Sequence, residues 1–168
     1  MNAPVAPDRF EFVTNSPEET AKLAQLFADH ARDGTTILLD GNLGAGKSHF
    51  ARSYIQHLMT QAGDMFEVPS PTFTLVQTYQ INMLEIWHAD LYRLSFFEEL
   101  VELGLDTALD RATCLIEWPD RLGPISPPSA ATVHLKMLEE ENARQITVSN
   151  TVSLPPELTA ELAKFSAV

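Results

Sequence analysis

Residues 41–48 read Gly-Asn-Leu-Gly-Ala-Gly-Lys-Ser and match the pattern G-x-x-x-x-G-K-[ST] in full. No other segment constrains the fold as tightly. Three of the chain's seven glycines fall inside it, and independent draws from this composition would give such a match in only about one sequence in a thousand. A loop of this kind works between a buried strand and the first turn of a helix, and the flanks supply both. Thr35–Asp40 (TTILLD) is a short apolar run bounded by glycine, the pattern of a buried central strand. From Lys47 to about Met59, Phe50, Tyr54, Ile55 and Leu58 fall on one helical face.

The chemistry follows from that placement. The glycines let backbone N–H groups turn inward around phosphate oxygens, and the helix start adds the positive end of its dipole. Gly44, Ala45, Gly46, Lys47 and Ser48 are then expected to wrap the phosphates of a nucleotide. Lys47 would contact the β- and γ-phosphates, and the Ser48 hydroxyl would ligate Mg²⁺. His49 follows directly, either near the phosphates or on the helix surface.

Such a site needs an acid at the end of a neighbouring strand. Two candidates exist. Asp90 follows Glu85–Ala89, and Glu117 follows Cys114–Ile116; both end strand patterns. Parallel strands converge on the ligand crevice at their carboxyl ends, so both acids can reach Ser48. One would hold Mg²⁺, directly or through water, and the other would position the attacking water; spacing alone leaves the assignment open. Thr72, in Ser70-Pro71-Thr72-Phe73-Thr74, is either a switch residue sensing the γ-phosphate or a β-branched strand starter. His88 and His134 read as strand residues, because no histidine partner stands at metal-ligand spacing. Trp118 is either packing or a partner contact.

The remaining patterns are coarser. Arg9–Thr14 alternates as a strand, and Ser16-Pro17-Glu18-Glu19 opens a helix running to about Ala31. Residues 73–80 and 84–87 predict a hairpin, Ser95-Phe96-Phe97-Glu98 a capping box that opens a helix stopping at Gly104, and 122–130 a Pro-rich loop. Residues 132–138 and 145–149 alternate like edge strands, and 155–164 read as a terminal helix. Length fits one domain over 1–168, with a core at about 9–150. The chain carries 11 Lys+Arg against 23 Asp+Glu, a formal net charge of −12. That excess argues against broad nucleic-acid binding, which needs clustered cations. Cys114 is the sole cysteine, so neither an intrachain disulfide nor a cysteine zinc site can form. Neither a secretory pattern over residues 1–10 nor a spanning apolar run occurs, so a soluble cytoplasmic protein is expected.

Four segments in order, GNLGAGKS (41–48), SPTFTLVQTY (70–79), HADLYRL (88–94) and LIEWPDRLG (115–123), resemble the TsaE (YjeE) family. The resemblance spans about residues 10–150. It implies an α/β P-loop NTPase fold, a single three-layer domain with a mixed, largely parallel sheet. It also implies an ATPase that acts with TsaB and TsaD on tRNA threonylcarbamoyladenosine formation. Such a subunit does not transfer the group itself and meets tRNA only through the complex. By the same resemblance Gly44 to His49 wrap the nucleotide phosphates, Ser48 and Glu117 contact Mg²⁺, and Asp90 is the acid required for hydrolysis. Pro17 lies near the base, and Arg144 is a further nucleotide contact. The chain departs from the family pattern at Asn42, Ser48, His49 and Ala89.

Other classes remain in view. A nucleoside-type small-molecule kinase would use the same loop, with Asp110-Arg111 or Asp120-Arg121 as its Asp-Arg pair. Few arginines follow the loop to build the lid it needs. A regulatory GTPase is disfavoured by the lack of an Asn-Lys-x-Asp segment. A nucleotide-dependent interaction module with negligible turnover is the last.

Overall fold

In the computed structural model, residues 7–166 are described except Met65. Residues 1–6, part of the stretch read as lacking a secretory pattern, lie outside them. Among the described residues, seven strands form one sheet: β1 (Arg9–Thr14), β2 (Thr36–Asp40), β3 (Val76–Ile81), β4 (Leu84–Asp90), β5 (Thr113–Glu117), β6 (Ala131–Met137) and β7 (Arg144–Ser149). Their spatial order is β1-β7-β6-β2-β5-β4-β3. The four central strands β6, β2, β5 and β4 run parallel, and the pairings β1/β7, β6/β7 and β3/β4 are antiparallel. The sheet is thus mixed with a parallel centre, as expected. Strand β5 is buried at every position, as a strand covered on both faces must be.

Helices cover both faces. On one side lie α1 (Pro17–Asp29), α2 (Lys47–Gln61) and α5 (Pro156–Ser166), packing Leu23, Phe27, Phe50, Ile55, Leu158 and Leu162 against Ile37, Leu39, Leu115 and Val133. On the other lie α3 (Glu98–Glu102) and α4 (Leu105–Arg111), packing Leu100, Leu105 and Ala108 against Ala89, Cys114 and Ile116. Helix α1 begins where the sequence places it: the Ser16 side chain accepts the Glu19 N–H, and Pro17 takes the first turn. The Glu19 carboxylate reaches back to the Asn15 N–H.

Four local expectations are corrected. Residues 132–138 and 145–149 are not at the edges: β6 lies between β2 and β7, and β1 pairs along the other side of β7, so β1 and β3 are the outer strands. The hairpin's first strand starts at Val76, not Phe73. Pro71 C=O accepts the Leu75 N–H, and Leu75 adopts a left-handed conformation (φ 65°), so the preceding segment turns away from the ladder. The second strand runs past Trp87 to Asp90, since β5 pairs along its other side. Gly104 (φ 83°) stops the first helix as expected, and a second short helix not read from the sequence, α4, starts directly after it. Glu99, rather than a Ser95–Glu98 box, caps the first, accepting the Ser95 and Phe96 N–H groups. Within the Pro-rich stretch, residues 119–125 form tight 3₁₀ turns kinked at Gly123.

Gly41 shows why the loop between β2 and α2 needs its first glycine. Its φ is 145°, and a Cβ there would stand 2.4 Å from the Leu135 carbonyl oxygen of β6. Gly41→Ala is therefore expected to cost about 2 kcal/mol of stability or more, lowering Tm by roughly 4–8 °C. A thermal melt tests this; an unchanged Tm would show that the loop and β6 separate freely.

Candidate functional site

The loop's position follows from the topology. Strands β2, β5 and β4 lie side by side and end together, so Asp40, Glu117 and Asp90 come to one margin of the sheet. Asp90 is directly opposite Glu117 in register. Helix α2 starts at that margin. Gly46 precedes it in a left-handed conformation (φ 111°), which lets the loop turn directly into the first helical residue, Lys47.

A cleft of about 430 Å³ opens there, lined by the loop, Thr72, Asp90, Arg93, Glu117 and Trp118. Gly44, Gly46, Lys47, Ser48 and His49 all reach it. A larger hollow of about 660 Å³ lies between residues 32–36 and 124–130, at the amino ends of β2 and β6. It has no phosphate-cradling loop, and α/β sites form at the carboxyl ends of strands. We therefore take the cleft as the site.

In and behind the cleft the side chains form a connected set. The Ser48 hydroxyl donates to Glu117 Oε1 at 2.7 Å. Glu117 Oε2 accepts from His88 Nε2 at 2.6 Å. Asp90 Oδ1 accepts the Tyr92 N–H at 3.1 Å, and Oδ2 accepts from the Thr72 hydroxyl at 3.4 Å. The Ser70 and Thr72 hydroxyls are 2.8 Å apart, within hydrogen-bond distance. Thr72 therefore belongs to a turn against Asp90 rather than to a strand. Lys47 Nζ donates to Gly41 O at 2.5 Å and Asn42 O at 2.9 Å.

Burial tunes these groups. Asp90 is held above the usual carboxylate range, first by desolvation and then by the nearby Glu117 charge; the Tyr92 N–H partly offsets this. Burial pushes the Lys47 ammonium downward, and the carboxylates of Glu117, Asp90 and Asp40 pull it back. Shifted groups of opposite sign in one cleft mark a site built to work on charge.

The other expected residues fall around this set. Trp118 follows Glu117 in a left-handed conformation (φ 59°). Its ring lies 4.1 Å from Lys47 Nζ and 5.0 Å from the Tyr92 ring, so it faces the site and packs beside it. His49 Nε2 donates to the Pro17 carbonyl at 2.8 Å, which ties the start of α1 to the start of α2. Arg144 grips the loop through its backbone: Nε donates to Ala45 O at 2.9 Å and Nη2 to Gly44 O at 3.3 Å. His134 bonds Asp40 at the strand end. His88 is the residue that sequence reasoning missed. The signal was its place two before Asp90 on one strand, which puts both on the same face. The pairs proposed for a kinase do not meet in the cleft: Asp110 lines the distant hollow, Arg111 pairs with Glu85, and Asp120 pairs with Arg121.

Fold and site together define a P-loop α/β protein of ATPase-like type, with two acids facing the phosphate loop. The family model for "Threonylcarbamoyl adenosine biosynthesis protein TsaE" matches residues 14–146. The chain belongs to the TsaE family. It is 39% identical to the tRNA threonylcarbamoyladenosine biosynthesis protein TsaE of Rickettsia felis, over 83% of this chain and 80% of that one. The Bacillus subtilis protein of the same name is 32% identical over 92% and 94%. The crystal structure of Bacillus subtilis YdiB superposes with a TM-score of 0.74 at 28% identity, covering 93% of this chain and 95% of that one. Among the described residues no helix is long and apolar enough to cross a membrane.

Proposed function

We propose that this chain is a Mg²⁺-dependent ATP-hydrolysing subunit that acts on a TsaB–TsaD complex during tRNA N6-threonylcarbamoyladenosine formation. It does not transfer the group itself, and it works in the cytoplasm, where that pathway's tRNA substrate is handled. The observation that carries the reading is the meeting of Lys47 and Ser48 with Glu117 and Asp90 at three adjacent strand ends.

The donor set fits Mg²⁺. Ser48 and Glu117 offer hard oxygens, and no cluster of three or more His, Cys, Asp or Glu among the described residues could cage a metal alone. Mg²⁺ prefers that arrangement, filling its shell with phosphate oxygens and water. When bound, the ion would neutralise charge on the β- and γ-phosphates. Ser48 and Glu117 would hold it. Backbone N–H groups of Gly44–His49 and the Lys47 ammonium would bind the phosphates. Asp90 would orient the attacking water and take its proton; its raised affinity for a proton suits a base. Pro17 and His49 would border the base, and Arg144 would keep the loop in shape beside the nucleotide.

The charge of −12 fits a protein partner better than direct tRNA contact. Positive potential is needed only at the loop, and the remaining acid is available to a basic surface on TsaB–TsaD. The test is ATP turnover with and without that pair. We expect turnover to rise on adding TsaB–TsaD and association to weaken with salt. Turnover that ignores the pair would overturn the subunit role, and robust phosphoryl transfer to a nucleoside would favour a kinase.

A further inference from the structure

His88 is buried in β4, with 1% of its side chain exposed, and among the described residues its hydrogen-bond partner is Glu117, 2% exposed. The two stand diagonally across adjacent parallel strands. Asp90 is opposite Glu117, and His88 is opposite Leu115, one pleat further into the sheet. Residues two apart on a strand share a face, so His88, Asp90 and Glu117 all lie under α2. His88 does not line the cleft. It stands behind Glu117, seen from the nucleotide side.

The hydrogen bonds divide the work of the carboxylate. Glu117 Oε1 meets Ser48, and Oε2 meets His88 Nε2. A carboxylate accepts only, so Nε2 carries the hydrogen, and that fixes the tautomer. Among the described residues, Nδ1 is buried without a hydrogen-bond partner. The ring thus keeps one ordered polar contact, aimed at one oxygen of Glu117. A glutamate side chain has three torsions to fix, and the Ser48 hydroxyl alone would hold it at a single point. With the second anchor, rotation about the terminal torsion breaks one bond or the other.

We infer that His88 is a positioning residue: its Nε2–H fixes the Glu117 carboxylate so that Oε1 is presented to Ser48 and the adjoining metal position. This deepens the Mg²⁺-dependent reading and rests on it for the metal's identity. His88 touches neither nucleotide nor metal and acts only through Glu117. A histidine that orients an acidic metal contact is worth about 10- to 100-fold in metal affinity.

Three variants separate positioning from packing. In His88→Gln, the side-chain amide reaches about as far as Nε2 and can donate the same bond. In His88→Asn the amide is one methylene shorter and falls short of Oε2. His88→Leu removes the donor. The full chain is loaded with ADP, and Mn²⁺ binding is titrated by electron paramagnetic resonance. ADP affinity is measured separately in EDTA, and crystal structures of the variants record the Glu117 side chain. We expect His88→Asn and His88→Leu to weaken Mn²⁺ binding by about 10- to 100-fold with metal-free ADP affinity unchanged. His88→Gln is expected to recover most of the loss. If His88→Leu does not fold, the Asn and Gln pair carries the comparison. Wild-type Mn²⁺ affinity in His88→Asn, or a Glu117 carboxylate still against Ser48 in its crystal structure, would overturn the inference. If the wild-type ADP complex binds no Mn²⁺, the metal reading falls by itself. The Glu117 orientation in His88→Asn then decides this inference alone: displaced, it stands; unmoved, it fails.

Discussion

Replacing Lys47 with alanine is expected to abolish nucleotide binding at ordinary working concentrations, a loss of roughly 100-fold or more in affinity. The reason is the balance of charge in the cleft. Lys47 faces Glu117, Asp90 and Asp40 closely enough for all three carboxylates to affect its ionisation. A triphosphate entering this space meets two lining acids, Glu117 and Asp90. Without Lys47, the remaining basic side chains lining the cleft are His49 and Arg93, the latter stacked 4.5 Å over the Phe73 ring at the rim. The loop N–H groups and the helix dipole remain, but they are partial charges. Equilibrium binding of a fluorescent ATP analogue measures the effect. Binding within a few-fold of wild type would remove the phosphate site from this loop.

Glu117→Gln is expected to do the opposite: keep nucleotide binding largely intact and lower turnover roughly 100- to 1000-fold. The amide has the shape of the carboxylate, so packing is preserved. It carries no charge for a metal and offers one acceptor oxygen where there were two. That oxygen can still accept from His88 Nε2–H, and the Ser48 hydroxyl can rotate to accept from the new NH₂. The cleft thus survives with one negative charge fewer, which favours a polyanion. Single-turnover ATP hydrolysis beside a binding titration separates the two effects. Normal turnover here and in the Lys47 variant would refute the site; lost binding here would make Glu117 a structural residue instead.

The contrast between these variants follows what sequence can and cannot convey. The phosphate loop is a local object: eight consecutive residues whose glycines, lysine and hydroxyl need only a strand before and a helix after. Both flanks carry their own periodicity, so the loop, β2 and α2 are legible as text. The α1 start is legible for the same reason, since Ser16 and Pro17 act within one turn. Asp90 and Glu117 are legible as strand ends, and a shared margin follows once the strands are taken as parallel.

The tertiary structure decided what depends on neighbours distant in sequence. Whether residues 145–149 form an edge is set by β1, more than a hundred positions earlier, pairing to β7. The start of β3 at Val76 depends on Leu75 turning through a positive φ, which no apolar pattern records. Arg144 enters from the sequence only as a nucleotide contact that the family resemblance implies; the fold instead places its guanidinium on the Gly44 and Ala45 carbonyls, a hundred and 99 residues away. His88 reads as a plain strand residue because its hydrogen-bond partner, Glu117, lies 29 residues on, across a parallel pairing. Sequence alone thus determined the phosphate loop and the identity of the acids near it, because those are properties of short segments. Only the fold could show how the acids are held, because hydrogen bonds between strands depend on register, and register is set by the whole sheet.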